Sequence, residues 1–142
     1  MTTDILTSHA DAPGTSKLAL WFGWGMTGLF ALFMVFDTAI KLINLKIVED
    51  SMRELGYPPG LGVPIGVLEA ILLIFYLIPR TSILGAVLFM GVFGGAIASH
   101  LRTGDPLFSH VLFGVYLGVL AWGGLWLRDA RLRALFPLRQ DH

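Results

Sequence analysis

The stretch Leu18–Ile40, LALWFGWGMTGLFALFMVFDTAI, carries one charged residue, Asp37, close to its far end. As a helix rising about 1.5 Å per residue it would cross the roughly 30 Å hydrocarbon core of a bilayer. It is also too long for the apolar core of a secretory signal. The residues before it, Met1 to Ser16, are polar and include Asp4 and Asp11, so they lack the basic start of such a signal and read as a disordered tail.

Three more stretches of this kind follow. Leu61–Ile78 holds Glu69, Ile83–Leu101 is uncharged up to His100, and Leu107–Leu127 holds only His110. The whole chain of 142 residues is 55% hydrophobic and 14% charged. A soluble domain usually carries about 25% charged residues, so a water-facing surface cannot be built and the missing surface must face lipid. The net charge of zero gives no hint of nucleic acid as a partner.

The connections set the topology. Pro79-Arg80-Thr81-Ser82 and Arg102-Thr103-Gly104-Asp105-Pro106 are tight turns. The first connection is longer, and in it Leu45, Val48, Met52 and Leu55 recur at helical spacing among charged residues. Gly56 is placed to end that helix and Pro58-Pro59 prevent its continuation. It reads as a short helix lying in the membrane interface, with an extension of the first span as the alternative. The expected fold is therefore all-α: an antiparallel bundle of four transmembrane helices with a short interfacial helix in the first outer loop. The expected divisions are a cytoplasmic tail at 1–16, the membrane domain at 17–137 and a short cytoplasmic tail at 138–142.

Lys and Arg counts orient the bundle. The side holding both termini has Lys17, Arg80, Arg128, Arg131, Arg133 and Arg139, against Lys41, Lys46, Arg53 and Arg102 on the other. Six against four puts both termini in the cytoplasm. Trp21, Trp24, Trp122 and Trp126 then fall near the inner ends of the first and last spans, as an aromatic belt does. Small residues at Gly91, Gly95 and Ser99, and at Gly114 and Gly118, read as faces where helices meet closely.

The ionisable groups gather in the outer half. Asp37 and Lys41 share a face of the first span, Glu69 lies about 12 Å into the second, His100 and Arg102 end the third, and His110 begins the fourth. A carboxylate at Glu69's depth calls for a partner. Gly62 and Gly66 on its face would let a neighbouring helix bring one, with Lys41, Arg102 and His100 as the candidates. His100 and His110 could converge across their turn, but a catalytic zinc site normally needs three protein ligands, so no metal is expected. The absence of cysteine excludes disulfides, thiolate metal sites and thiol redox chemistry. The glycines sit in apolar helices rather than after a strand and cannot form a dinucleotide fingerprint.

Several motifs together resemble the DoxX-like family of small bacterial membrane proteins. They are Gly66-Val67-Leu68-Glu69, Tyr76-Leu77-Ile78-Pro79-Arg80-Thr81-Ser82 with Gly85-Ala86, and Gly94-Gly95-Ala96-Ile97-Ala98-Ser99-His100-Leu101-Arg102. The pair Asp37 and Lys41 and the closing Trp122-x-x-x-Trp126-Leu127-Arg128-Asp129 also fit. The resemblance covers roughly Lys17 to Pro137. It implies a four-span bundle in the bacterial cytoplasmic membrane, with Asp37, Lys41, Glu69, His100 and Arg102 as the matching polar positions. The family's name comes from a subunit linked to thiosulfate oxidation and quinone reduction, and the resemblance extends to parts of membrane oxidoreductase complexes.

Three functions remain open at this stage. One is a subunit of a membrane redox system that binds a quinone or similar lipid-like molecule, with Asp37, Lys41, Glu69, His100, Arg102 and His110 as ligand-binding residues and no cofactor held by the chain itself. The others are a non-catalytic assembly protein and a small-molecule or proton transporter. Candidate partners are the lipid bilayer, membrane or soluble oxidoreductase subunits, and further copies of the chain.

Overall fold

A computed structural model describes residues 15–138. The expected tail at 1–16 falls outside these residues up to residue 14, as does 139–142. The first helix, α1 (Lys17–Leu42), is capped by Ser16, whose Oγ accepts the Ala19 amide at 3.2 Å. After Asn44, at φ 53°, the chain resumes as α2 (Lys46–Glu54), a helix distinct from α1. There follow α3 (Gly62–Leu77) and α4 (Ser82–Thr103). A π-helical turn, Leu107–Val111, leads into α5 (Phe113–Arg128), and α6 (Ala130–Leu135) closes the chain. Among the described residues there is no strand.

Local chemistry fixes the ends. Ile78 is extended, as a residue before proline prefers, and α3 stops there. Thr81 Oγ1 then donates to the Phe75 carbonyl at 2.8 Å, serving a group that the end of the helix would leave bare. Gly104, at φ 75°, takes the left-handed position after α4, and Pro106 prevents the helix from running on. The π-helical turn and the α6 helix were not anticipated; each is a single short turn or two, below what periodicity resolves.

Among the described residues three segments are long and apolar enough to cross a membrane: Lys17–Leu42, Ser82–Thr103 and Leu107–Arg128. The fourth expected span is α3, which has 16 residues and so measures about 24 Å. The four apolar helices close a ring, α1 against α5 and α3, α3 against α4, and α4 against α5. Inside it Phe30 and Met34 of α1 meet Tyr76 of α3, Phe89 and Phe93 of α4 and Ala121 of α5. Phe30 stands edge-on to Tyr76, Phe89 and Phe93, with ring centroids 4.8, 5.3 and 6.1 Å away. The outward faces are as apolar as the core: Trp21 is 78% exposed and Leu32 71%. Such surface is stable only against lipid, and the chain is a multi-pass membrane protein.

The glycines divide differently from expectation. A Cβ at Gly114 would lie 3.2 Å from the Phe93 carbonyl and one at Gly118 3.5 Å from Met90 Sδ, so that row is where α5 meets α4. Gly91, Gly94 and Gly95 of α4 have nothing within 4 Å of a Cβ. Gly91 and Gly95 are therefore not a contact face within the chain, because α4 turns Phe89 and Phe93 to the core and leaves these glycines beside a hollow, while Ser99 at the end of the row meets Tyr57.

Candidate functional site

Lys41 in the last turn of α1 is the centre of the polar cluster. Its Nζ lies 2.7 and 2.9 Å from the two oxygens of Glu69 and 2.5 Å from Asp37 Oδ2. The i, i+4 spacing puts Asp37 and Lys41 on one face of α1. The approach of α3 depends on glycine: a Cβ at Gly66 would lie 2.9 Å from Lys41 Cβ and 3.3 Å from the Leu42 nitrogen. One turn earlier, Gly62 gives the same clearance to Val48 of α2. The Glu69 side chain is 3% exposed, that of Lys41 14% and that of Asp37 24%. A carboxylate as buried as Glu69 stays charged only against a close cation.

Lys41 and Glu69 form one wall of a cavity of about 230 Å³. Ile65 and Leu68 of α3 line it on one side, and Gly91, Val92, Gly95 and Ala96 of α4 on the other. Its roof is Met52 of α2, Leu55 at the cap of that helix and Tyr57 from the following loop, with Ser99 opposite. The Tyr57 and Ser99 hydroxyls are hydrogen-bonded to each other, and Ser99 Oγ also donates to the Gly95 carbonyl at 2.8 Å. On the far side of Lys41 a second hollow of about 230 Å³ lies under α2, lined by Asp37, Val48 and Ser51 among others.

The remaining expected site residues are elsewhere at the same end. Arg102 donates to the Leu55 carbonyl and lies against Gly56, so it caps the end of α2 and does not reach Glu69. His100 Nδ1 is 2.6 Å from Asp105 Oδ2, and Thr103 Oγ1 donates to the same oxygen at 2.9 Å. These two bonds, that of His100 first, hold the Asp105 carboxyl below the usual carboxylate range. His110 bonds Ser109 and stands edge-on to His100, ring centroids 5.6 Å apart. Neither histidine lines the cavity. Among the described residues no three His, Asp or Glu side chains are grouped to hold a metal ion.

The sequence reading missed Tyr57 and Ser99 as cavity groups. A signal existed for Ser99, which continues the row Gly91, Gly95 at helical spacing; for Tyr57, in the loop before Pro58, there was none.

The DoxX-like family model matches residues 25–124. The chain belongs to the DoxX-like family. No curated protein and no solved structure matches it. The DoxX-like segment contains α3 and α4 whole, α1 from Gly25 onward and α5 up to Gly124. It also contains every polar residue just described, while α6 lies beyond it.

Proposed function

We propose that this protein crosses the bacterial cytoplasmic membrane four times with both termini inside. It binds a small lipid-like molecule with a polar head, of the quinone class, in the cavity beside Lys41 and Glu69, as a subunit or accessory of a membrane redox system. The observation that carries the reading is that cavity: apolar walls, one buried ion pair and two hydroxyls, the composition usual for small-molecule sites. Its volume, about 230 Å³, is below the roughly 300–1,000 Å³ of drug-sized sites and above the ~150 Å³ that takes benzene. One substituted ring fits, with any tail leaving between α3 and α4 past the bare glycines.

Support for four spans is that α3 packs against both α1 and α4. A helix held between spans shares their membrane, and bilayer thinning accommodates a short one at modest cost. Single cysteines replacing Arg80 and Ser109 should then label from opposite sides, Arg80 from the cytoplasm; labelling from one side defeats the topology. A route through the protein is disfavoured by Phe30, Phe89 and Phe93, which fill the bundle centre.

The binding reading is tested by extraction in mild detergent and mass spectrometry of the lipids retained. A quinone-class molecule should accompany the wild type and be lost from Gly95→Leu, which adds a branched side chain to the α4 wall of the cavity. Equal retention by both, or none by the wild type, would leave the cluster as a structural clamp in a non-catalytic accessory protein.

A further inference from the structure

The hydrogen-bonding groups around the cavity are unbalanced. Ser99 Oγ gives its one hydrogen to the Gly95 carbonyl. The bond between Tyr57 and Ser99 must therefore take its hydrogen from Tyr57. Both hydroxyls are left with lone pairs alone for anything that enters. Paired with the Lys41 ammonium, the Glu69 carboxylate accepts, and among the described residues Lys41 is the single side chain that donates to it. Of the three Lys41 hydrogens, one goes to Asp37 and another to the Glu69 oxygens, so at most one remains.

From this imbalance we infer that the cavity takes a hydrogen-bond donor: an apolar ring bearing a hydroxyl, of the hydroquinone or phenol type, in preference to the corresponding quinone. The inference rests on the cavity being a ligand site, as proposed above. The ligand hydroxyl donates to Glu69 and accepts the remaining Lys41 hydrogen. Its ring lies between Leu68 and the small residues of α4. A quinone carbonyl can use only the Lys41 hydrogen, and it leaves Glu69 facing a group with nothing to donate. An anionic head brings only further acceptors and is rejected.

The test uses the full chain in nanodiscs, with empty nanodiscs as the blank, by anaerobic titration calorimetry. Three probes share one ring: trimethylhydroquinone, trimethylbenzoquinone and the dimethyl ether of the hydroquinone. The hydroquinone should bind roughly ten- to hundredfold more tightly than the other two, the worth of a hydrogen bond to a charged acceptor. In Glu69→Gln the amide can also donate, so the gap between hydroquinone and quinone should close. The wild-type series decides the matter even if that variant fails to fold. Quinone binding as tight as that of the hydroquinone overturns the inference and leaves the cavity reading standing. No binding by any probe overturns both.

Discussion

The two ends of the helix ring are built on opposite plans. Where α1 begins and α5 ends, backbones touch: a Cβ at Gly23 would lie 3.1 Å from the Gly124 carbonyl, and Gly85 lies against the backbone of Tyr76. Polar atoms there are few, and those of Tyr76 and Arg133 are spent within the chain. Tyr76 donates to the Ala121 carbonyl at 2.8 Å, and Arg133 serves the last carbonyls of α5 at 2.8 and 3.1 Å. Where α1 ends and α3 begins, glycines also appear; Gly62, Gly66 and Gly114 are used for contact, while Gly91 and Gly95 of α4 border a hollow. One end uses small residues to exclude space and the other to leave it. A membrane protein gains no hydrophobic drive between helices from lipid, so a hollow flanked by a buried charge pair is held open at a cost that the closed end must offset.

The largest effect should come from stranding the buried charge. Lys41→Met keeps the length of the side chain and leaves Glu69 without its partner, which should cost about 3–5 kcal/mol. Thermal unfolding in detergent would measure it. Changing Glu69 to Met as well should restore most of the loss, because a buried pair replaced by apolar groups of similar size is often neutral. If the double change is as damaging as the single one, the pair is not what burial makes costly at this end.

A smaller contrast tests the glycines. Gly85→Val drives a side chain into the Tyr76 backbone and should lose about 3 kcal/mol. Gly95→Ala meets nothing and should be neutral or gain up to about 1 kcal/mol from helix propensity. The same assay reads both, and equal losses would mean that the hollow beside α4 is closed in the folded protein.

Much of this was legible in the sequence. Helix type and the α3–α4 and α4–α5 turns follow from apolar length and from Pro79, Gly104 and Pro106, which act locally. The ion pair was half legible: depth demanded a partner for Glu69 and the glycines allowed one, but the choice of Lys41 over Arg102 depends on α2. Arg102 is drawn to the carbonyl end of α2, where a cation also meets the helix dipole. The cavity was not legible. The same Gly-x-x-x-Gly spacing serves contact on α5 and clearance on α4, and only the rotation of each helix about its axis decides which.

The smallest effect concerns the turn between α4 and α5, where the polar end meets water. Asp105 accepts from His100 and Thr103, and these bonds depress its carboxyl below the ordinary value. A carboxyl with a lowered folded pKa binds fewer protons in the native than in the unfolded chain. Its contribution is therefore present above the unfolded value, about 3.9, and is lost as pH falls through the lower, folded one. The Asp105 side chain is 33% exposed, so solvent screens the interaction and global stability should scarcely move. The turn itself should respond. Amide hydrogen exchange at Gly104, Asp105 and His110, corrected for intrinsic rates, should accelerate as pH falls through the acid range, while amides around Phe30 and Phe89 stay protected. Asp105→Asn should remove that pH dependence. If exchange in the variant still rises with acid as in the wild type, the His100–Asp105 contact does not hold the turn.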